Sequence, residues 1–183
     1  MNLETLVEGC KRGTPQAQQT LYDRYSSVLF AICRRYLPQY EDAEDALVAA
    51  FFKIFTQIHQ FNEMGSFEGW MKRIVVNECL MTLRRQSLPF SAIEIQLEVP
   101  AGEISAEAHL EAGDVLRLLE QLPPGYRTIF NLYVVEGYKH KEIADLLGVS
   151  INTSKSQLIL AKKRMKELLL ELQYPDSENY HAK

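Results

Sequence analysis

The sequence predicts an all-α protein made of two small helical domains joined by a flexible acidic linker. Nearly every long segment repeats its apolar residues three and four apart, the spacing of one helix face, and the character of the chain changes after Arg85. Its 183 residues are 46% hydrophobic and 24% charged, ordinary values for a globular protein with a core. No apolar run approaches the roughly 20 residues of a membrane span. The N-terminus resembles no export signal, so we expect a cytoplasmic protein without direct membrane insertion.

Four apolar stripes predict a first domain over residues 1–88. The first helix starts at Leu3 and ends at Gly13, and the second has Thr14 as N-cap with Pro15 in its first turn. The fourth begins near Ser66. The third stripe is Ala43, Ala46, Leu47, Ala50, Phe51, Ile54, Phe55 and Ile58, and the fourth is Phe67, Trp70, Met71, Ile74, Val75, Cys79 and Leu83. Burial of the four stripes against one another predicts a bundle.

Residues 89–107 are predicted to form the acidic linker. Prolines at 89 and 100 and a glycine at 102 disfavour a regular element. Residues 1–88 balance ten acids with ten bases, residues 89–113 hold five acids and no base, and residues 114–183 hold nine acids and ten bases. The formal net charge of -4 therefore belongs largely to the linker and does not argue against nucleic-acid binding.

Helical spacing resumes in a second domain, residues 108–173, which precedes a polar tail at 174–183. One stripe stops at Pro123 and Pro124, and helical spacing resumes through Ile129, Phe130, Tyr133 and Val134 to Gly137. The stretch HKEIADLLGVSINTSKSQLILAKKRM, residues 140–165, then has helix-turn-helix spacing. Ala144 is small where two helices approach, Gly148 tolerates positive φ in the turn, and Ser150 is a suitable N-cap.

The second helix of this motif is predicted to face a DNA major groove. The segment from Ser150 through Lys166 contains five basic residues and no acidic residue. A helical hairpin with a solvated basic face has the same pattern, so both interpretations stay open on spacing alone. The candidate DNA-binding residues are Asn152, Thr153, Lys155, Ser156, Gln157, Ile159, Lys162 and Lys163.

Four motifs in order resemble a known family. They are EDAEDALVAAFFKIF, FEGWMKRIVVN, LEQLPPGYR and the helix-turn-helix, and together they span nearly the whole chain. This order resembles the sigma-70 family of RNA polymerase sigma factors, in the small two-domain group called extracytoplasmic-function sigma factors. The resemblance implies regions 2 and 4 of that family, and a factor that binds core polymerase, recognises promoter DNA and helps to open it. It implies no catalysis, no cofactor, no metal and no small-molecule substrate.

The resemblance also implies roles for residues of the first domain. The acidic helix would dock on a coiled coil of the largest polymerase subunit, with Asp42, Glu44, Asp45, Phe51 and Phe52 as candidates. Phe61 and Asn77 match positions that handle an unstacked base of the -10 element, since an aromatic ring replaces lost stacking and an amide both donates and accepts. Four basic side chains in the same part of the chain would follow the DNA backbone: Lys72, Arg73, Arg84 and Arg85.

In the second domain Lys155, Ser156 and Ile159 match the family's -35 reader, while three neighbours depart from its pattern. Ser154 replaces a usual apolar residue, and Gln157 and Leu160 replace usual arginines. Two fewer charges predict weaker phosphate attraction, and Gln157 is expected to offer adenine two hydrogen bonds. The linker carboxylates either imitate a polyanion inside polymerase or form a solvated tether.

Two alternatives compete with a sigma factor. A free-standing helix-turn-helix regulator that binds an operator as a dimer explains the second domain but not the motifs of the first. An enzyme is disfavoured because His59, His109, His140 and His181 are isolated and three scattered cysteines form no metal knuckle. An anti-sigma protein is the partner that the family habit implies.

Overall fold

The structure is a computed structural model that describes residues 2–62, 65–86 and 112–173. Every regular element in these ranges is helical, and the chain divides into two compact units, Met1–Ser87 and Leu88–Lys183. The predicted all-α fold with two helical domains is therefore confirmed. The predicted linker and polar tail lie outside the described residues, so the predicted domain limits stay predictions.

Within residues 2–62 and 65–86, the N-terminal unit contains four α-helices and a 3-10 turn. Asn2 Oδ1 accepts a hydrogen bond from the Thr5 backbone N–H at 2.8 Å, and Ser66 Oγ accepts one from Gly69 at 2.9 Å, so both residues cap helices. Thr14 stands at the N-cap position but makes no side-chain cap bond, and Pro15 opens its helix instead. The helices are α1 (Leu3–Lys11), α2 (Pro15–Tyr36), α3 (Tyr40–Gln57) and α4 (Phe67–Arg85), with the 3-10 turn at Ile58–Gln60.

The core of this unit lies between α2, α3 and α4, with α1 packed on α2. Fully buried side chains from all three long helices meet there, among them Leu21, Ile54 and Met71. Gly9 permits the close approach of α1, because a Cβ at this position would lie 2.7 Å from Ala17 Cβ. Most residues of the predicted third and fourth stripes are thus buried, while Phe55, Trp70 and Ile74 are half-buried.

Two groups of polar or reactive side chains are enclosed in the same core. Glu78 is buried and pairs with Lys53 of α3, so its charge is compensated inside the bundle. Cys10, Cys33 and Cys79 are all buried free thiols, as small hydrophobic residues would be.

The described part of the C-terminal unit, residues 112–173, contains four further α-helices. They are α5 (Ala112–Glu120), α6 (Pro124–Phe130), α7 (His140–Leu147) and α8 (Ile151–Gln173). Arg127, 4% exposed, donates from Nη2 to the carbonyls of Glu120 at 3.1 Å and Leu122 at 2.8 Å, so the arginine of the LPPGYR motif closes the end of α5. Leu118, Leu119, Leu122, Met165 and Leu168 form a core cluster.

The segment with helical spacing through Ile129, Phe130, Tyr133 and Val134 to Gly137 is only partly α-helical in the structure. The α-helix ends at Phe130 and a π turn, Asn131–Val135, replaces its continuation. The Glu136 backbone N–H donates to the Asn131 carbonyl at 2.9 Å. This hydrogen bond joins residues five apart, as in a π-helix. Tyr133, Val134 and Val135 on this turn are exposed, although the apolar character of Tyr133 and Val134 had suggested a buried stripe. None of the helices in the described ranges is long and apolar enough to cross a membrane.

Candidate nucleic-acid and polymerase-binding surfaces

The helix-turn-helix has the predicted turn. Gly148 ends α7 with φ 69°, and its N–H donates to the Ala144 carbonyl at 2.9 Å. Ser150 Oγ accepts from the Thr153 N–H at 2.9 Å, which confirms it as the cap of α8. The buried Ile143, together with Ala144, packs α7 against α8. The turn is therefore specified by residues visible in the sequence.

Six of the eight candidate DNA-binding residues lie on one side of α8. At about 100° per residue, they fall within an arc of about 120°. Their side chains are exposed or half-buried, and three are lysines. We call this surface the reader face: Asn152, Lys155, Ser156, Ile159, Lys162 and Lys163. It combines polar groups for base edges with positive charge for phosphates.

Thr153 and Gln157 are not part of the reader face, and the expectation that they contact bases is corrected. They are 6% and 5% exposed and lie on the inner side of α8. Gln157 faces α6, where a Cβ on Gly125 would stand 3.0 Å from Gln157 Oε1. The burial of Gln157 in this arrangement does not support its predicted pairing with adenine. The signal was present in the sequence, because Gln157 stands four residues before the buried Ala161.

Arg164, another basic residue of α8, forms ion pairs within the helix. Its guanidinium lies 3.2 Å from Glu167 and 3.4 Å from Glu171 on the same helix. These exposed pairs occupy its charge locally, and each is of small energetic value. The exposed lysines of this helix supply further positive charge for phosphates.

Ser154, one of the departures from the family pattern, is completely buried and bonded to another helix. Its Oγ lies 2.9 Å from Nδ1 of His140, the first residue of α7. The imidazole stacks on Tyr133, with ring centroids 4.5 Å apart and planes at 25°. Lys162 Nζ stands 6.0 Å from the centroid of Tyr133. This contact was missed from the sequence, since residues 14 apart on different helices carry no periodic signal.

The outer side of α4 brings the candidates for the -10 element together. Arg73, Asn77 and Arg84 are exposed and fall within about 40° of one another around the helix. Lys72 is exposed about 140° from Asn77, so it is the candidate that the structure separates from this group. Arg85 is exposed at the end of the helix. We call Arg73, Asn77 and Arg84 the α4 face.

A group of aromatic rings adjoins the α4 face. Phe61 lies 5.2 Å from Phe67 and 5.8 Å from Trp70, and Trp70 stacks on Phe67 at 5.5 Å. Phe67 is buried while Phe61 and Trp70 are half-buried. The expectation that Trp70 belongs to the core therefore holds only in part. Phe61 is held by neighbouring rings and still reaches the surface, as a stacking platform requires.

The acidic helix α3 carries an exposed surface with acids and large apolar side chains. Glu44 and Asp45 are exposed, and Phe52 is 70% exposed. Val48, 63% exposed, lies between them and was missed, although the spacing of Glu44, Val48 and Phe52 by four places them on one side. We call these four residues the α3 face. Asp42 is half-buried and accepts from Gln86 at 2.9 Å.

Phe51 is corrected as a polymerase-binding candidate. It is 3% exposed, and its ring lies 4.7 Å from Tyr22 and 5.8 Å from Phe55. The physical reason is its place on the buried stripe of α3, whereas the next residue points outward. Two adjacent phenylalanines therefore have different roles.

Each of the two units matches the model of a known protein family. The family model described as Sigma-70 region 2 matches residues 21–88, and the one described as Sigma-70, region 4 matches residues 112–165. The chain belongs to the sigma-70 family. The α3 and α4 faces lie in the region 2 range, and the reader face lies in the region 4 range.

Similar curated proteins carry names of one group within this family. SigE of Mycolicibacterium smegmatis is 28% identical over 156 residues, covering 81% of this chain and 60% of that protein. The sigma-E factor of Escherichia coli K12 is 28% identical over 173 residues, covering 87% and 90%. SigW of Bacillus subtilis is 20% identical over 185 residues, covering 94% and 99%. Each is named an ECF RNA polymerase sigma factor, and the predicted extracytoplasmic-function group is confirmed.

Two solved structures share the fold. CnrH in complex with the cytosolic domain of CnrY has a TM-score of 0.50 at 20% identity, covering 90% of this chain and 95% of that one. The sigma factor RpoE in complex with the anti-sigma factor NepR from Bartonella quintana has a TM-score of 0.52 at 21% identity, covering 82% and 95%. The helical fold is thus shared with sigma factors.

His140 of this sigma-70 family member is expected to titrate below its ordinary range. Burial, and then the charges of Lys155 and Lys162, lower the pKa of His140 from its usual 6.5. Below pH 6.5 the unfolded chain binds this proton more readily, so the histidine's contribution to stability is complete above pH 6.5 and is lost as the pH falls toward the folded pKa. NMR titration of the imidazole in the folded chain and in denaturant measures both pKa values. A folded pKa at or above the denatured one would contradict this assignment.

Proposed function

We propose that this chain is an RNA polymerase sigma factor that binds core polymerase and directs promoter recognition, DNA opening and transcription initiation. The observation that carries the proposal is the presence, in one chain, of two surfaces suited to nucleic acid. The α4 face with Phe61 suits an unstacked base, and the reader face suits duplex DNA. Their separate matches to regions 2 and 4 of the family support the same conclusion.

Each surface has a distinct task in this proposal. The reader face contacts the -35 element, with Lys155, Ser156 and Ile159 nearest to the bases. Asn77 and Phe61 hold an unstacked base of the -10 element while Arg73 and Arg84 attract the backbone. The α3 face docks on the coiled coil of the largest polymerase subunit, through acids and the exposed Phe52.

The α3 face favours a sigma factor over a free-standing regulator. A dimeric helix-turn-helix regulator requires only the C-terminal unit, and it leaves Val48 and Phe52 exposed without a reason. Large exposed apolar residues bordered by acids are typical of a protein interface. The protein in this proposal acts in the cytoplasm, catalyses nothing itself and needs no cofactor or small-molecule substrate. An anti-sigma protein is its proposed regulatory partner.

The charge of the reader face also favours action together with core polymerase. Its three lysines neutralise about three phosphates, which predicts a salt slope of about -3 for duplex binding. This number of phosphate contacts is well below the number made by proteins that bind operators without a partner. We therefore expect weak promoter binding by the free protein.

Run-off transcription with core polymerase on a library of genomic fragments tests the proposal. We expect transcripts only when the protein and core are both present, from templates that share two sequence elements. Band-shift measurements with the protein alone supply the comparison. Tight and sequence-specific binding without core, combined with no stimulated transcription, would favour the regulator instead.

Asn77→Ala is expected to slow promoter opening while sparing closed-complex binding. The exposed amide offers a donor and an acceptor to a base edge, contacts that form only after the base leaves the stack. Permanganate reactivity of unpaired thymines measures the opening rate, for which we expect a loss of about tenfold from hydrogen bonds worth about 1.4 kcal/mol. Asn77→Asp keeps the shape, loses the donor and is expected to be equally slow. Normal opening in both variants would remove Asn77 from the site.

A further inference from the structure

The two helices of the helix-turn-helix are joined by a polar link within their apolar contact. Ser154 is fully buried in the first turns of α8, and a buried hydroxyl is costly unless it is hydrogen-bonded. Its Oγ meets His140 Nδ1 at 2.9 Å, at the start of α7. The bond is a direct contact between the first turn of α7 and the first turns of α8, in addition to their connection through the turn at Gly148.

The imidazole is held from a second direction. Tyr133, on the π turn, stacks on it at 4.5 Å, and the exposure of Tyr133 follows from the wider turn at that place. Lys155 and Lys162 of α8 act on the ring electrostatically. In the sequence His140 is flanked by Lys139 and Lys141, and Glu142 accepts a hydrogen bond from the Lys139 N–H at 2.7 Å. The link therefore lies beside the lysines of the reader face.

We propose that His140 is a positioning residue of the reader face: its bond to Ser154 and its stacking on Tyr133 set the first turns of α8 relative to α7, and thereby the selectivity for the -35 sequence. This inference rests on the proposed function. It assigns to His140 and Ser154 a role in recognition without contact to DNA.

Selectivity is more sensitive to this link than overall affinity. Hydrogen bonds to base edges weaken steeply when distance or angle departs from the optimum, so a small displacement of α8 removes them. Attraction between lysines and phosphates acts over several ångströms and tolerates the same displacement. Breaking the link is therefore expected to reduce discrimination between sequences and to leave nonspecific DNA affinity unchanged.

Three substitutions distinguish the effect of the hydrogen bond between His140 and Ser154 from the effect of ring stacking on Tyr133. His140→Phe keeps a ring for Tyr133 and loses the hydrogen bond, and Ser154→Ala loses the bond from the other side. His140→Asn places an amide group near the position of Nδ1 and is expected to restore the bond. The measurement uses the full chain with core polymerase, on a promoter selected with the unmodified protein and on the same promoter with its -35 element randomised. The ratio of the two transcription rates reports selectivity.

We expect His140→Phe and Ser154→Ala each to lower this ratio about fivefold, the effect of one hydrogen bond. The double variant is expected to lose no more than either single one, and His140→Asn is expected to stay within about twofold of the unmodified protein. Thermal unfolding of each variant sets an assay temperature at which all are folded. Unchanged ratios in the two single variants, or additive losses in the double variant, would overturn the positioning role.

Glu142→Ala is the matched control, because it also removes a hydrogen bond at the start of α7 without touching α8. It is expected to lower the unfolding temperature and keep the ratio, which supports positioning. An equal fall in its ratio would show a general effect of α7 stability and overturn the inference. A ratio near one for the unmodified protein would instead refute the proposed -35 role of the reader face, so the two failures are distinguishable.

Discussion

Phe52→Ala is expected to weaken assembly with core polymerase by about 30-fold and to leave the protein folded. Phe52 is 70% exposed, so its removal costs the isolated chain little. An exposed aromatic beside acids is the kind of residue that dominates an interface, where truncation typically costs about 2 kcal/mol, or about 30-fold in affinity. Fluorescence anisotropy of the labelled chain with core polymerase measures the dissociation constant.

The adjacent Phe51 supplies a control with the opposite result. Phe51→Ala removes a buried ring that contacts Tyr22 and Phe55, which is expected to cost about 3 to 5 kcal/mol of folding free energy. Denaturant unfolding followed by circular dichroism measures this loss. Asp45→Lys is expected to weaken assembly without unfolding, since its side chain is exposed. Unimpaired assembly of both Phe52→Ala and Asp45→Lys would show that α3 does not dock on polymerase.

Lys155→Ala is expected to reduce -35-dependent transcription about tenfold while core association stays intact. The side chain is exposed on the reader face, and one good contact to a base pair contributes about 1 to 3 kcal/mol. Transcription rates and affinity for core polymerase measure the two properties separately. Lys166→Ala, an exposed lysine about three turns further along the same helix, is the matched control and is expected to change transcription less than twofold. Loss of core association in Lys155→Ala would contradict the assigned role.

Gln157→Ala tests whether Gln157 contributes to stability or to base recognition. Because Gln157 is buried against α6, we expect this change to lower stability by about 1 to 3 kcal/mol and to leave base preference unaltered. Unfolding experiments and transcription on promoters with single -35 substitutions measure both quantities. A changed base preference without a loss of stability would return Gln157 to the reader face.

Much of the fold is predictable because it depends on local periodicity. Apolar residues three and four apart specify the helices, and Gly148, Ser150 and Ser66 end or begin them through backbone geometry and short-range hydrogen bonds. The π turn was not predictable. Apolar residues at 133–135 continue the helical pattern, and the choice between an α and a wider turn depends on what packs against Asn131 and Leu132.

The candidate sites were predicted less completely, since a motif specifies a position along a helix but not the side on which a residue lies. Gln157 and Phe51 occupy motif positions yet lie on buried stripes, and the helical repeat already implied this.

The sequence by itself determined the all-α class, the two-part organisation, the sigma-70 resemblance and the helix-turn-helix, since each follows from local spacing or ordered motifs. Only the tertiary structure decided that Ser154 bonds to His140, that Tyr133 stacks on that ring and that Phe61 adjoins Trp70. These contacts join different segments of the chain. Their geometry depends on how whole helices pack, and packing depends on all the side chains at the interface together.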